Sequence, residues 1–200
     1  MNLIIALAVI FHIGITDLAF AKNQDTPSLR AEVHCALALS TLFHNVGSKS
    51  YRNKLAKNLP PRMKTCVTLA SKAEDYGLSI PEVVAIGYYE SKFSMTAVSS
   101  AGAIGPLQIL PRYFCPKRRA RGCDVIAAGL KAVKKFKNAY GDSYQCHYNA
   151  GRVCNKRSKG YARRVRSMKR LLEMYDNQIF NRLPLNEMET EGSDSIHRKR

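Results

Sequence analysis

The stretch GYYESKFSMTAVSSAGAIGPLQILP, Gly87–Pro111, carries one acidic side chain, Glu90, among five Ser and Thr hydroxyls, three glycines and Gln108. Upstream of it, SIPE (Ser79–Glu82) reads as a helix start. Ser79 suits the N-cap, Pro81 the first turn, and Glu82 the reciprocal position of a capping box. In the helix that follows, Val83, Ile86, Gly87 and Glu90 fall at i, i+3, i+4 and i+7, which puts the carboxylate on the apolar stripe. Residues 95–111 lack a helical period and read as a compact loop, with Gly102 and Gly105 letting the backbone come close to a ligand.

Two readings of Glu90 stand open on this pattern. Burial disfavours the charged form of a carboxylate, raises its pKa and makes it a general acid near neutral pH. The other reading is a structural glutamate bonded to backbone N–H groups of the following loop.

Working outward, helices are expected over about residues 29–43, 63–76, 124–139 and 161–177. GSKSYRNKLAKNLPP (Gly47–Pro61), polar and ending in two prolines, reads as a connector. Few runs alternate, so the expected class is all-α. The chain divides into a secretory signal over 1–21, a lead with helix and connector over 22–61, the main domain over 62–180 and a polar, disordered tail over 181–200. The signal rests on the apolar LIIALAVIF (Leu3–Phe11), too short to span a bilayer, and on AFA (Ala19–Ala21) as a cleavage site. An uncleaved N-terminal anchor is the other reading of that segment.

Six cysteines follow the signal, an even number in a chain read as exported, either to the periplasm or outside the cell. Six cysteines allow fifteen pairings; the short-range set Cys35–Cys66, Cys115–Cys123 and Cys146–Cys154 is preferred, and buried free thiols are the other reading. No pair has C-x-x-C spacing, and His12, His34, His44, His147 and His197 show no ligand spacing, so no metal is expected.

ESKF (Glu90–Phe93), AVSSAGAIGPLQILP (Ala97–Pro111) and YNAG (Tyr148–Gly151) resemble, in order and spacing, the three signature segments of the soluble lytic transglycosylase (SLT) family. That resemblance spans roughly residues 62–170. It implies a lysozyme-like helical domain that cleaves peptidoglycan without a cofactor. Carried over by position, Glu90 matches the catalytic acid/base and Ser91 the serine after it. Gln108 matches a cleft-lining glutamine, Tyr148 and Asn149 the aromatic–amide pair beside the acid, and Tyr161 a further tyrosine. Tyr148 and Asn149 also have scaffold readings, as a core ring and a loop-bonding amide. The chain departs from the family at Gly105-Pro106-Leu107-Gln108, where Gly-Leu-Met-Gln is usual, so Leu107 stands for the methionine. It departs again after YNAG, where Arg152, Val153 and Cys154 replace Pro-Gly and a disulfide braces the turn.

A two-carboxylate glycosidase needs its second carboxylate within about 5–10 Å of the first. Between Glu90 and Asp142 the sequence offers only Asp124, at a helix start. No second catalytic carboxylate is evident, which suits assistance by the substrate's own N-acetyl group. The implied product is a 1,6-anhydro-N-acetylmuramic acid end. A goose-type, lysozyme-like muramidase that hydrolyses the same bond is the enzymatic alternative, and a non-catalytic wall- or polyanion-binding protein the other.

The formal net charge is +17, and between Arg112 and Arg170 eighteen Lys and Arg face only Asp124 and Asp142. Such a surface calls for an anionic partner. Peptidoglycan and its associated anionic polymers fit an exported protein, in wall turnover, a secretion or conjugation apparatus, or a phage setting. A solvated helix face is the plainer reading. Specific nucleic-acid binding is not expected, because basic runs with interleaved Tyr would need no Glu90 motif and no signal.

Overall fold

The computed structural model describes residues 26–44 and 48–180. The signal segment and the polar tail fall outside them. The order is α1 (Thr26–His44), α2 (Lys49–Ser71), a 3₁₀ turn (Glu74–Tyr76), α3 (Ile80–Ser91), the signature loop, α4 (Pro111–Phe114), a 3₁₀ turn (Pro116–Arg118), α5 (Val125–Tyr140), a 3₁₀ turn (Gly141–Ser143), α6 (Tyr144–Ala150) and α7 (Lys156–Phe180). The class is all-α: the described residues form no strand, and the loop holds only two isolated bridges, Val98 with Ile104 and Ile104 with Ile109.

α3 is the central element. Every residue from Ile80 to Tyr88 is buried, with α7, α1 and α2 packed around it. Four β-branched residues, Ile80, Val83, Val84 and Ile86, sit in this helix despite their modest helix propensity. Burying such a side chain is worth about 1.5–3 kcal/mol, against a few tenths for propensity.

The polar run ending in Pro60-Pro61 is no connector: α2 runs straight through both prolines. Pro60 and Pro61 cannot bond the carbonyls of Ala56 and Lys57, but both of those residues are exposed and water can serve them. The buried half of α2 is locked to α1 by Cys35–Cys66, and Leu55, Leu69 and Ala70 join the core. The helix then stops at Ser71, earlier than the expected Tyr76.

The capping box is also absent. Ser79 has the extended backbone of an N-cap but its side chain makes no cap bond. Glu82 points inward, 2% exposed, where its carboxylate accepts from Tyr144 Oη at 2.7 Å and Lys137 Nζ at 2.8 Å. One buried carboxylate thereby joins α3, α5 and α6.

The three disulfides pair as the spacing suggests, with Cα separations of 5.8, 5.4 and 5.6 Å for Cys35–Cys66, Cys115–Cys123 and Cys146–Cys154. All lie in the normal range for a bridge.

Candidate active site

The C-terminal end of α3 presents Glu90. Lys92 leaves the helix at φ 56°, its N–H bonded to Gly87 O, and Phe93 follows at φ 61°. This reversal drives Phe93 into the core against Gly87, where a Cβ would stand 2.9 Å from the phenyl ring. Gly87 is therefore the space into which the chain turns back, and the turn leaves Glu90 half-buried at the helix end.

The signature loop folds over that end. Ser91 Oγ donates to Pro106 O at 2.9 Å and accepts from Ser94 N at 3.0 Å. Gln108, at φ 48°, donates from its amide to Ala97 O at 3.2 Å and Gly105 O at 2.9 Å. Gly105 packs on Val125, and Leu107 is fully buried against Gly129, where a Cβ would meet Leu107 Cδ1 at 2.8 Å. The loop is thus seated on α5 through glycine contacts on both sides. Leu107 turns its side chain to the core, and its carbonyl accepts from Tyr148 Oη at 2.6 Å.

Tyr148 from α6 and Tyr161 from α7 complete the surroundings of Glu90. Burial, then the neighbouring Glu90, raises both phenols well above the ordinary tyrosine value, so both keep their protons. The Tyr161 hydroxyl is buried with no hydrogen bond of regular geometry, yet it lies near enough to act on the Glu90 carboxyl. Asn149 is exposed at the end of α6.

Burial pushes Glu90 up to about 7, outweighing the downward pull of Tyr161 and then Lys92. No carboxylate of the described residues is among the groups acting on it. Asp124 is committed elsewhere, accepting from Ile126 N at 3.1 Å and Ala127 N at 3.0 Å as the N-cap of α5. A lone carboxyl poised at neutrality, flanked by two phenols, can give up a proton and later take one back.

A match to the description Transglycosylase SLT domain covers residues 68–171. The chain belongs to the SLT family. That span takes in α3, the loop and most of α7, so everything described around Glu90 lies inside it. Membership supports a peptidoglycan-active function in general for this SLT protein. No curated protein and no solved structure matches the chain.

Of the residues singled out from the sequence, Glu90, Tyr148 and Tyr161 gather at one point. Ser91 and Gln108 lie beside them but spend their donors on the loop backbone, so Gln108 has chiefly its carbonyl oxygen left for a ligand. Sequence reasoning missed the cations here. Lys92 Nζ donates to Tyr88 O at 2.7 Å and lies 4.2 Å from the Tyr88 ring centre and 5.1 Å from that of Tyr89. Arg62 Nη1 donates to Ser91 O at 3.1 Å and also to Lys92 O. Arg164 Cζ lies 5.8 Å from the Tyr89 ring centre. The only sequence signal was the position of Lys92, two residues after Glu90; Arg164 is hidden in the basic run of α7.

Proposed function

We propose that this SLT protein is an exported lytic transglycosylase that cleaves the β-1,4 bond between N-acetylmuramic acid and N-acetylglucosamine. The observation that carries the reading is a single carboxyl held near neutrality with no second carboxylate among the described residues acting on it. In this mechanism protonated Glu90 gives its proton to the glycosidic oxygen as the C1–O bond breaks. The acetamido carbonyl of the same sugar supports the positive charge at C1. Glu90, now a carboxylate, takes the proton of the C6 hydroxyl, whose oxygen bonds to C1 and closes a 1,6-anhydro ring. Glu90 ends protonated as it began. Tyr161, neutral, keeps its hydroxyl beside the carboxyl in both of its states, while Tyr148 spends its proton on Leu107 O. The cysteine content and the leader sequence support export to the periplasm or the cell exterior, and the basic surface supports a hold on the anionic wall.

Glu90→Gln tests the assignment. Gln keeps the shape but can neither donate nor accept the proton, so cleavage of purified wall sacculi should fall by roughly 10²–10⁴-fold with folding and sacculus binding retained. Full activity in that variant removes Glu90 from the chemistry.

A further inference from the structure

Arg62, Lys92 and Arg164 come from α2, the end of α3 and α7, and converge on the rim of the Glu90 site. Tyr161 and Arg164 are three residues apart on α7 and so share a face. That face puts the phenol near Glu90 and the guanidinium by the Tyr89 ring. The guanidinium lies back beside Gly160, where a Cβ would stand 3.8 Å from Arg164 Nη1. Ion pairs among the described residues join Arg30 to Asp176, Lys137 to Glu82 and Lys169 to Glu173. None engages these three cations. Glu90 does not balance them either: it carries at most one negative charge, and near pH 7 it is about half protonated.

Arg62 spends one nitrogen on the backbone turn and Lys92 one bond on Tyr88 O, which leaves most of their donors uncommitted. Lys92 is half-buried and Arg164 exposed, so both retain solvent-accessible surface. Burial, then Arg164 and Arg62, lowers the Lys92 ammonium to about 8. The two guanidiniums add to the effect of burial, and an incoming anion would offset their part of it.

We infer that Lys92 and Arg164 form an anion subsite at the rim of the Glu90 cleft, which takes a carboxylate of the peptide stem borne by the glycan strand. The inference rests on the peptidoglycan reading and names the part of that substrate the cleft holds beyond the sugars. A carboxylate there accepts charge-assisted hydrogen bonds from both side chains. Arg62 supports the subsite by fixing the Ser91–Lys92 turn.

The test is calorimetric binding to the Glu90→Gln protein, in which no turnover interferes. The probes are a soluble glycan fragment with free stem carboxylates and the same fragment after amidation of those carboxylates. Amidation should weaken binding about tenfold, near 1.4 kcal/mol. Adding Arg164→Gln or Lys92→Gln should bring both fragments to the affinity of the amidated one. Arg164→Gln alters an exposed side chain and keeps the test valid if Lys92→Gln disturbs the turn. Equal binding of the two fragments to Glu90→Gln, undiminished discrimination in both double variants, or no binding of either fragment would overturn the subsite. Wild-type cleavage is read separately: discrimination without cleavage sinks the enzymatic reading and leaves the subsite standing, and cleavage without discrimination does the reverse.

Discussion

Two glutamates on one helix show how surroundings decide a carboxyl's role. Glu82 has a cation at 2.8 Å and a phenol at 2.7 Å and serves as a tie between helices. Glu90 has no cation within ion-pair distance among the described residues, and burial lifts it to about 7. Below that value it carries the proton its first step donates. As pH rises through it, the competent fraction falls roughly tenfold per unit. We therefore expect kcat/KM to be level on the acid side and to break downward near pH 7. Tyr161 holds the Glu90 pKa down, so Tyr161→Phe should move the break to higher pH as well as slow cleavage. A break that stays in place in Tyr161→Phe would separate that phenol from the carboxyl. The sequence pointed to Glu90 through helical spacing but misassigned Glu82. S-x-x-E at a helix start signals a capping box only when the glutamate faces solvent, and the inward turn depends on Lys137 and Tyr144, more than fifty residues away.

Among helices and loops, cysteine spacing favoured the bridges that form without excluding others, because each joins segments that are close in the chain or in adjacent helices. The helix through Pro60-Pro61 was not foreseeable. Proline in a helix interior costs about 3 kcal/mol, and local reading stops there. What keeps the helix whole is tertiary: the packing of α2 on α1, the Cys35–Cys66 link and exposed carbonyls that water can satisfy. The seat of the loop on Gly129 was equally hidden, since a glycine inside a helical pattern does not show which residue presses on it. The bridges differ in the chain they close. Loop entropy gives about 3–4 kcal/mol for the 31-residue separation of Cys35–Cys66 and about 2–3 kcal/mol for the 8-residue separation of Cys115–Cys123. Paired Cys→Ser replacement should therefore lower Tm more at Cys35–Cys66. Calorimetric melting that shows the reverse order would mean that α2 is held by packing alone.

For the whole molecule, the charge of +17 is the feature that length and fold do not require. The loop closed by Cys115–Cys123 lifts Lys117, Arg118, Arg119 and Arg121 into solvent, away from any carboxylate partner among the described residues. Exposed charges are screened beyond about 8 Å at physiological ionic strength, so retention on wall sacculi should fall steeply with salt. Replacing these four residues by Gln should weaken sedimentation with sacculi and leave the turnover of short soluble fragments nearly unchanged. Retention equal to wild type would make the loop a solvated elaboration.

What attacks C1 once Glu90 has given up its proton separates a transglycosylase from a hydrolase. Mass spectrometry of the fragments released from purified sacculi reads that choice directly. An intramolecular C6 hydroxyl leaves 1,6-anhydro ends, about 18 mass units lighter than hydrolysed ends because no water is added. Anhydro ends are expected on the newly formed muramic termini, and none when Glu90→Gln replaces the wild type. Reducing ends in their place would make the protein a hydrolase and contradict the mechanism.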